Sequence, residues 1–176
     1  MAIRPKNKYE PFNPKGFYKS FPKLNSGNHK PTSHPTPAQI DPQRPYTVYN
    51  CFAFVVGDRK QFWWPAGYGY WPRRPSEETV EELMHVLASE FGYEACLTGD
   101  YENGVHKVAI FVSGGLPVHI AFQHGARGGI WMSKMGYEID MEHSLDAVDS
   151  EGCDPRFEGY GKPEKFMRKV VNNQRA

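Results

Sequence analysis

Residues 106–123 read HKVAIFVSGGLPVHIAFQ, and this stretch limits the fold more than any other. Two β-rich runs flank Gly114-Gly115, a two-residue loop of the kind that closes a hairpin. Counting outward from that loop sets Ile110 opposite His119 and Val108 opposite Ala121. Ala109 and Phe111 then share the other face with Val118, Ile120 and Phe122. Both faces are apolar, so the hairpin belongs inside a sheet and not at its edge. GIWMSK reads as a further strand returning antiparallel after the turn HGARGG, and EACLTG as another.

Helices are expected on either side of these strands. Asn50 is a good N-cap, Cys51 to Val56 is apolar all round, and Gly57 can take the left-handed position that ends a helix. A helix so short is held only by tertiary packing. After Ser76 as cap and Glu77 and Glu78 in the first turn, Val80, Leu83, Met84, Leu87 and Phe91 recur at helical spacing until Gly92. His85 falls on the solvated side of that helix. The acidic segment 138–158 suggests a short helix around Met141 to Val148, and KPEKFMRKVV a closing helix with Pro163 at its first position. The class is α+β, an antiparallel sheet packed on helices.

Charge divides the chain in two. Residues 1–46 hold eight Lys/Arg against Glu10 and Asp41, a balance of +6, whereas the remainder holds 13 against 18, a balance of −5. The first part also carries nine of the 15 prolines, with isolated aromatics at Tyr9, Phe12, Phe17, Tyr18 and Phe21. Having few aliphatics, it cannot build its own core. We therefore expect an extended N-terminal arm over residues 1–45 and a globular domain over 46–176. The arm's rings and positive charge suit its own acidic domain, a protein partner or a second copy; nucleic acid is a less favoured partner.

Cysteines at 51, 96 and 153 form no C-x-x-C pair, so neither a disulfide framework nor a thiolate zinc site is suggested. No stretch approaches 18 uninterrupted apolar residues and no apolar segment follows the N-terminal charges. The expectation is a soluble, cytoplasmic protein that needs no metal or cofactor and makes no membrane contact. Phosphate-loop, dinucleotide, zincin and serine-hydrolase signatures are missing from the sequence.

One chemistry remains. A thiol in the first turn of a helix feels the positive end of the helix dipole and its free N–H groups, both of which favour the nucleophilic thiolate. Cys51 stands there, and the same N–H groups could hold an oxyanion. His119 lies in an otherwise apolar strand, where an imidazole needs a hydrogen-bonding reason to be buried; it is the first candidate for the base and His106 the second. Ser133 and Asp140 are candidates for the group that orients the ring. Asn50 could donate to the oxyanion through its side chain, besides capping the helix. Trp63, Trp64, Tyr70 and Trp71, in a loop rich in proline and glycine, could line a binding groove or form a minor core over one edge of the sheet.

YNCFAFVVGD, FWWP, YWP, HKVAIFV, PVHIAFQ, WMSKMG and IDMEH occur in that order. The series resembles an uncharacterised bacterial family whose members carry a Y-N-C-I-A-W-A-L-G-like motif, a tryptophan-rich segment, a T-H-A-A-like strand and an S-K-L-G/I-E-H ending. The likeness runs from about Phe21, through FPKL and PTSHPTP, to the end of the domain. A broader likeness is to papain-like cysteine hydrolases of the NlpC type, in which the nucleophile opens a helix and the histidine follows on an antiparallel strand. Cys51 and His119 have that order, although Phe52 stands where those enzymes usually have a small residue. The likeness implies a papain-like fold and a thiol hydrolase or amidase acting on a peptide, isopeptide or side-chain amide. The rival class is a non-catalytic interaction protein, such as a phage or mobile-element component, binding partners through the arm and the tryptophan loop.

Overall fold

The computed structural model describes residues 14–33, 49–136, 139–150 and 160–171. Seven antiparallel strands form one sheet in the order β1-β6-β5-β4-β3-β7-β2. They are β1 (His29–Ser33), β2 (Glu94–Cys96), β3 (Val105–Ser113), β4 (Leu116–Gln123), β5 (Trp131–Lys134), β6 (Asp140–His143) and β7 (Lys162–Val170). Four helices accompany them: α1 (Pro14–Ser20), α2 (Cys51–Val56), α3 (Val80–Phe91) and α4 (Leu145–Val148). No helix among the described residues is long and apolar enough to cross a membrane.

The sheet is covered on both faces. On the first face α2, α3 and the tryptophan loop pack on Val108, Ile110, Ile120 and Met167. On the second face Phe17 of α1, Phe21, α4 and Tyr160 pack on Ala109, Phe111, Ala121 and Met141. β3 and β4 lie inside the sheet, as their two-sided hydrophobicity requires.

The hairpin closes at Gly114 and Gly115, both with positive φ, but its register differs from simple counting. Ser113 pairs with Leu116 and Val112 with Pro117; Val118 is then an extra residue, and Phe111 pairs with His119, Ile110 with Ile120 and Ala109 with Ala121. One bulged residue exchanges the faces of every later pair. His119 thus belongs to the second face, not to the Ile110 face.

Local signals are otherwise followed closely in α2. The Asn50 side chain accepts from the Ala53 N–H, and Gly57 adopts φ +81° and returns its N–H to the last carbonyls. In α3 the cap is Thr79 and not Ser76; its hydroxyl accepts from the Glu82 N–H at 3.1 Å. His85 is exposed, as expected.

One expected helix is a strand, and another is shorter than expected, with a strand in place of its first half. KPEKFMRKVV forms β7, which pairs with β3 along its length and with β2 at Phe166, Met167 and Arg168. Long-range pairing here overrides helix propensity, and Pro163, which has no N–H to donate, lies beyond the cover of β2. The segment from Met141 is strand β6 before α4 begins at Leu145, because Met141 and His143 alternate inward and pair with both β5 and β1. Within the expected arm, residues 14–33 supply α1 and edge strand β1; Phe17 and Phe21 are buried in the second-face core. Their core is borrowed from the domain, as a segment poor in aliphatics requires.

Candidate functional site

The first residue of α2 is Cys51. Phe52, Ala53 and Val55 bury the helix against the first face, and its cap is tied sideways into the tryptophan loop. Asn50 Nδ2 donates to the Trp63 carbonyl at 2.7 Å, while Oδ1 accepts from the N–H groups of both Trp63 and Ala53 at 3.1 Å. These bonds define Asn50 as a cap and a brace.

β4 and β5 pair through Phe122–Met132 and Gln123–Trp131, and α2 packs on both strands. Two residues beyond the last pair, the backbone amide of Ile120 is turned to the Cys51 sulfur. The thiol is therefore brought to the residue adjoining His119.

The two side chains diverge from that point. The His119 ring lies on the second face, stacked on Tyr160 with centroids 3.8 Å apart and planes 3° from parallel, and edge-on to Phe111. Its Nε2 is buried with no hydrogen-bond partner among the described residues. No hydrogen bond joins it to Cys51 there.

The expected thiolate is not the resting state. Burial pushes the Cys51 thiol up to about 12, although the amides of Ile120, Phe52 and Cys51 itself pull in the opposite direction. A helix of six residues cannot outweigh desolvation of this size. Burial holds the His119 imidazole well below its ordinary value, and the neighbouring His143 adds to the effect. Thiol and imidazole are both neutral.

Ser133 and Asp140 are on opposite sides of the sheet. The Ser133 hydroxyl donates to His143 Nε2 at 2.7 Å, and His143 Nδ1 donates to the Ser144 carbonyl at 2.9 Å. The carbonyl can only accept, so it fixes the tautomer. This pair is buried on the second face, the side of His119. Asp140 faces the first side, where it accepts from the Tyr49 hydroxyl at 2.7 Å and lies opposite Lys134, whose ammonium sits 4.8 Å from the Tyr49 ring centre. His106 packs on Phe122 and His124.

Trp63, Trp64 and Trp71 are buried, and each indole N–H donates to a carboxylate, of Asp58, Glu78 and Glu82 respectively, at 2.7 Å. They form a minor core over the first face. Tyr70, packed on Trp63, presents an exposed ring.

Sequence reasoning singled out neither His143 nor Tyr160. The alternation of IDMEH against a buried sheet could have identified His143; nothing in the acidic stretch before Tyr160 marks it as the cover of a histidine. Among the described residues no group of three or more His, Cys, Asp or Glu is disposed to hold a metal ion. Cys153 lies outside the described residues.

Residues 41–168 match a family model described as a domain of unknown function, DUF7689. Comparison with curated proteins and with solved structures returns no match.

Proposed function

Since the chain belongs to the DUF7689 family, whose description assigns no activity, we propose from its own geometry that it is a thiol hydrolase of papain-like type acting on an amide bond. The observation that carries this reading is a buried histidine whose Nε2 lacks a partner among the described residues, next in sequence to Ile120, whose amide is turned to the Cys51 thiol across the strand. An orphaned imidazole nitrogen in the interior is costly, and a role in proton transfer is one reason for a protein to keep it.

His119 and the sulfur lie on opposite faces of the sheet, so this reading requires β4 to lose the Val118 bulge on binding substrate, which brings the imidazole from Tyr160 to the sulfur's face. His119 takes the Cys51 proton, sulfur attacks the amide carbon, and the oxyanion is met by N–H groups at the start of α2. His119 then protonates the leaving amine, and water hydrolyses the thioester.

A second reading is favoured by the depth of the thiol, which is only 6% exposed. The same domain could be a non-catalytic interaction protein with Cys51 as a core residue. Hydrolysis of a pool of acetylated dipeptide amides, followed by mass spectrometry, separates the two. The hydrolase reading expects amide cleavage and a thioester adduct on Cys51, both lost in Cys51→Ala and His119→Ala. Absence of cleavage and adduct from the wild type and from Tyr160→Ala would favour the interaction protein.

A further inference from the structure

Two buried polar side chains on the second face meet the loop 97–102, and one of them also binds the turn before β5. Lys107, 1% exposed, donates to the Thr98 carbonyl at 3.2 Å and pairs with Glu102 at 2.6 Å. Gln123, its cross-strand neighbour and also 1% exposed, donates to the Gly129 carbonyl at 3.1 Å and the Gly99 carbonyl at 3.5 Å. Burying an ammonium and a carboxamide is expensive, so the position of loop 97–102 is built and not incidental. Gly99 makes the closest approach. A Cβ there would come within 2.8 Å of Phe166 and 3.0 Å of Trp131.

The loop borders an open cleft of about 530 Å³ lined by Trp131, Phe166 and Leu145. This lies within the roughly 300–1,000 Å³ of small-ligand clefts. Leu97 stands on the rim 97% exposed, an apolar side chain with nothing laid over it among the described residues. Gln123 Oε1, beside the glycine wall, is buried without a donor. Of the nearby charged groups Asp100 lines the cleft, whereas Glu94 is paired with Arg168 and Glu102 with both Lys107 and Arg168. Asp100 makes no ion pair among the described residues.

We propose that this cleft binds a peptide segment carrying an aromatic or branched aliphatic side chain next to a lysine or arginine. The apolar side chain lies on Trp131 and Phe166 and covers Leu97, the cation meets Asp100, and peptide N–H groups have acceptors in the hydroxyls of Thr98 and Ser144. The proposal is independent of the chemistry of Cys51.

Acetyl-Phe-Arg-amide, acetyl-Phe-Glu-amide and acetyl-Gly-Arg-amide would be titrated into the full chain while the Gly99 amide and Trp131 indole NMR signals are followed. The Phe-Arg probe should shift both signals and bind about fivefold more tightly than Phe-Glu, the ratio expected of one rim ion pair. Gly-Arg should leave them unmoved, Cys51→Ala should change nothing, and Asp100→Lys, an exposed substitution, should reverse the preference. The proposal is overturned if Phe-Arg leaves both signals in place at millimolar concentration, if Phe-Glu binds equally well, or if Asp100→Lys leaves the ratio unchanged.

Discussion

Phe111 lies directly opposite His119 across the central hairpin, because Val118 is an extra residue in β4. That insertion carries the imidazole away from the Ile110 face, where α2 docks, and onto Tyr160. Sulfur and ring are left on either side of one peptide of β4. If His119 is a catalytic base kept at the expense of stability, replacing it should stabilise the fold. His119→Phe retains the stack and removes the orphaned nitrogen, so unfolding should cost about 1–2 kcal/mol more. Thermal denaturation should rise by about 2–4 °C for each kcal/mol. An equal or lower midpoint would show that the imidazole is satisfied in solution.

His143 makes stability fall with acid. Burial, the largest cause, sets its folded value at about 4 against an ordinary 6.5, even though the bond to the Ser144 carbonyl pulls the other way. His119 is shifted in the same direction. Below pH 6.5 the unfolded chain takes up protons that the folded chain refuses, so stability declines as pH falls from about 6.5 towards 4, and the part of the loss due to His143 levels off below that value. The shift of His143 alone corresponds to about 3 kcal/mol. Urea titrations across this window should show the decline, and His143→Gln should reduce it, leaving the share due to His119. A slope that persists unchanged in His143→Gln would assign the effect to other groups.

Asn50→Ala removes the cap of α2 and both side-chain bonds to the Trp63 backbone. The expected loss is about 2–3 kcal/mol by chemical denaturation, more than a helix cap alone provides. Asn50→Ser keeps a capping oxygen for the Ala53 N–H but is too short to keep both bonds to Trp63, so its cost should be smaller than that of Asn50→Ala and still measurable. If Asn50→Ser costs nothing, the brace to the tryptophan loop contributes nothing.

Much of the fold was legible because its signals are local. Asn50 and Gly57 bound α2 as read, the Gly114-Gly115 turn is where the sequence put it, and Trp131–Lys134 is a strand. What failed depends on distant partners. Nothing within VSGGLPVH announces that Val118 will bulge, yet that one residue decides which face His119 occupies. β7 has helix-compatible composition and becomes a strand only because β3 offers an edge. The electrostatics failed for a related reason: position on a helix is readable from spacing, whereas burial, which dominates the Cys51 thiol, comes from packing. The cleft beside Gly99 left a trace in Lys107 and Gln123, two polar residues in otherwise apolar strands, but their shared target was not in the sequence pattern.

Tyr160 is held in place as a cover. Its N–H donates to the Val148 carbonyl at 3.1 Å, and the next residue, Gly161, exchanges bonds with Ser150: its carbonyl accepts from the Ser150 N–H at 2.7 Å, and its N–H donates to the Ser150 hydroxyl at 2.9 Å. Gly161 has φ +67°, and a Cβ there would fall 2.0 Å from the Val112 carbonyl oxygen, so only glycine lets the strap lie this close. Removing the ring should therefore uncover His119 without moving the strap. In Tyr160→Ala, the His119 imidazole signal should titrate closer to the ordinary 6.5 than in the wild type, because desolvation is the main cause of its depression. Tyr160→Phe preserves the stacked ring and should leave the titration where it was. NMR pH titration of the histidine side chains measures both. Identical titration in the wild type and Tyr160→Ala would mean that the burial of His119 comes from Phe111 and the sheet, and that Tyr160 does not control access to it.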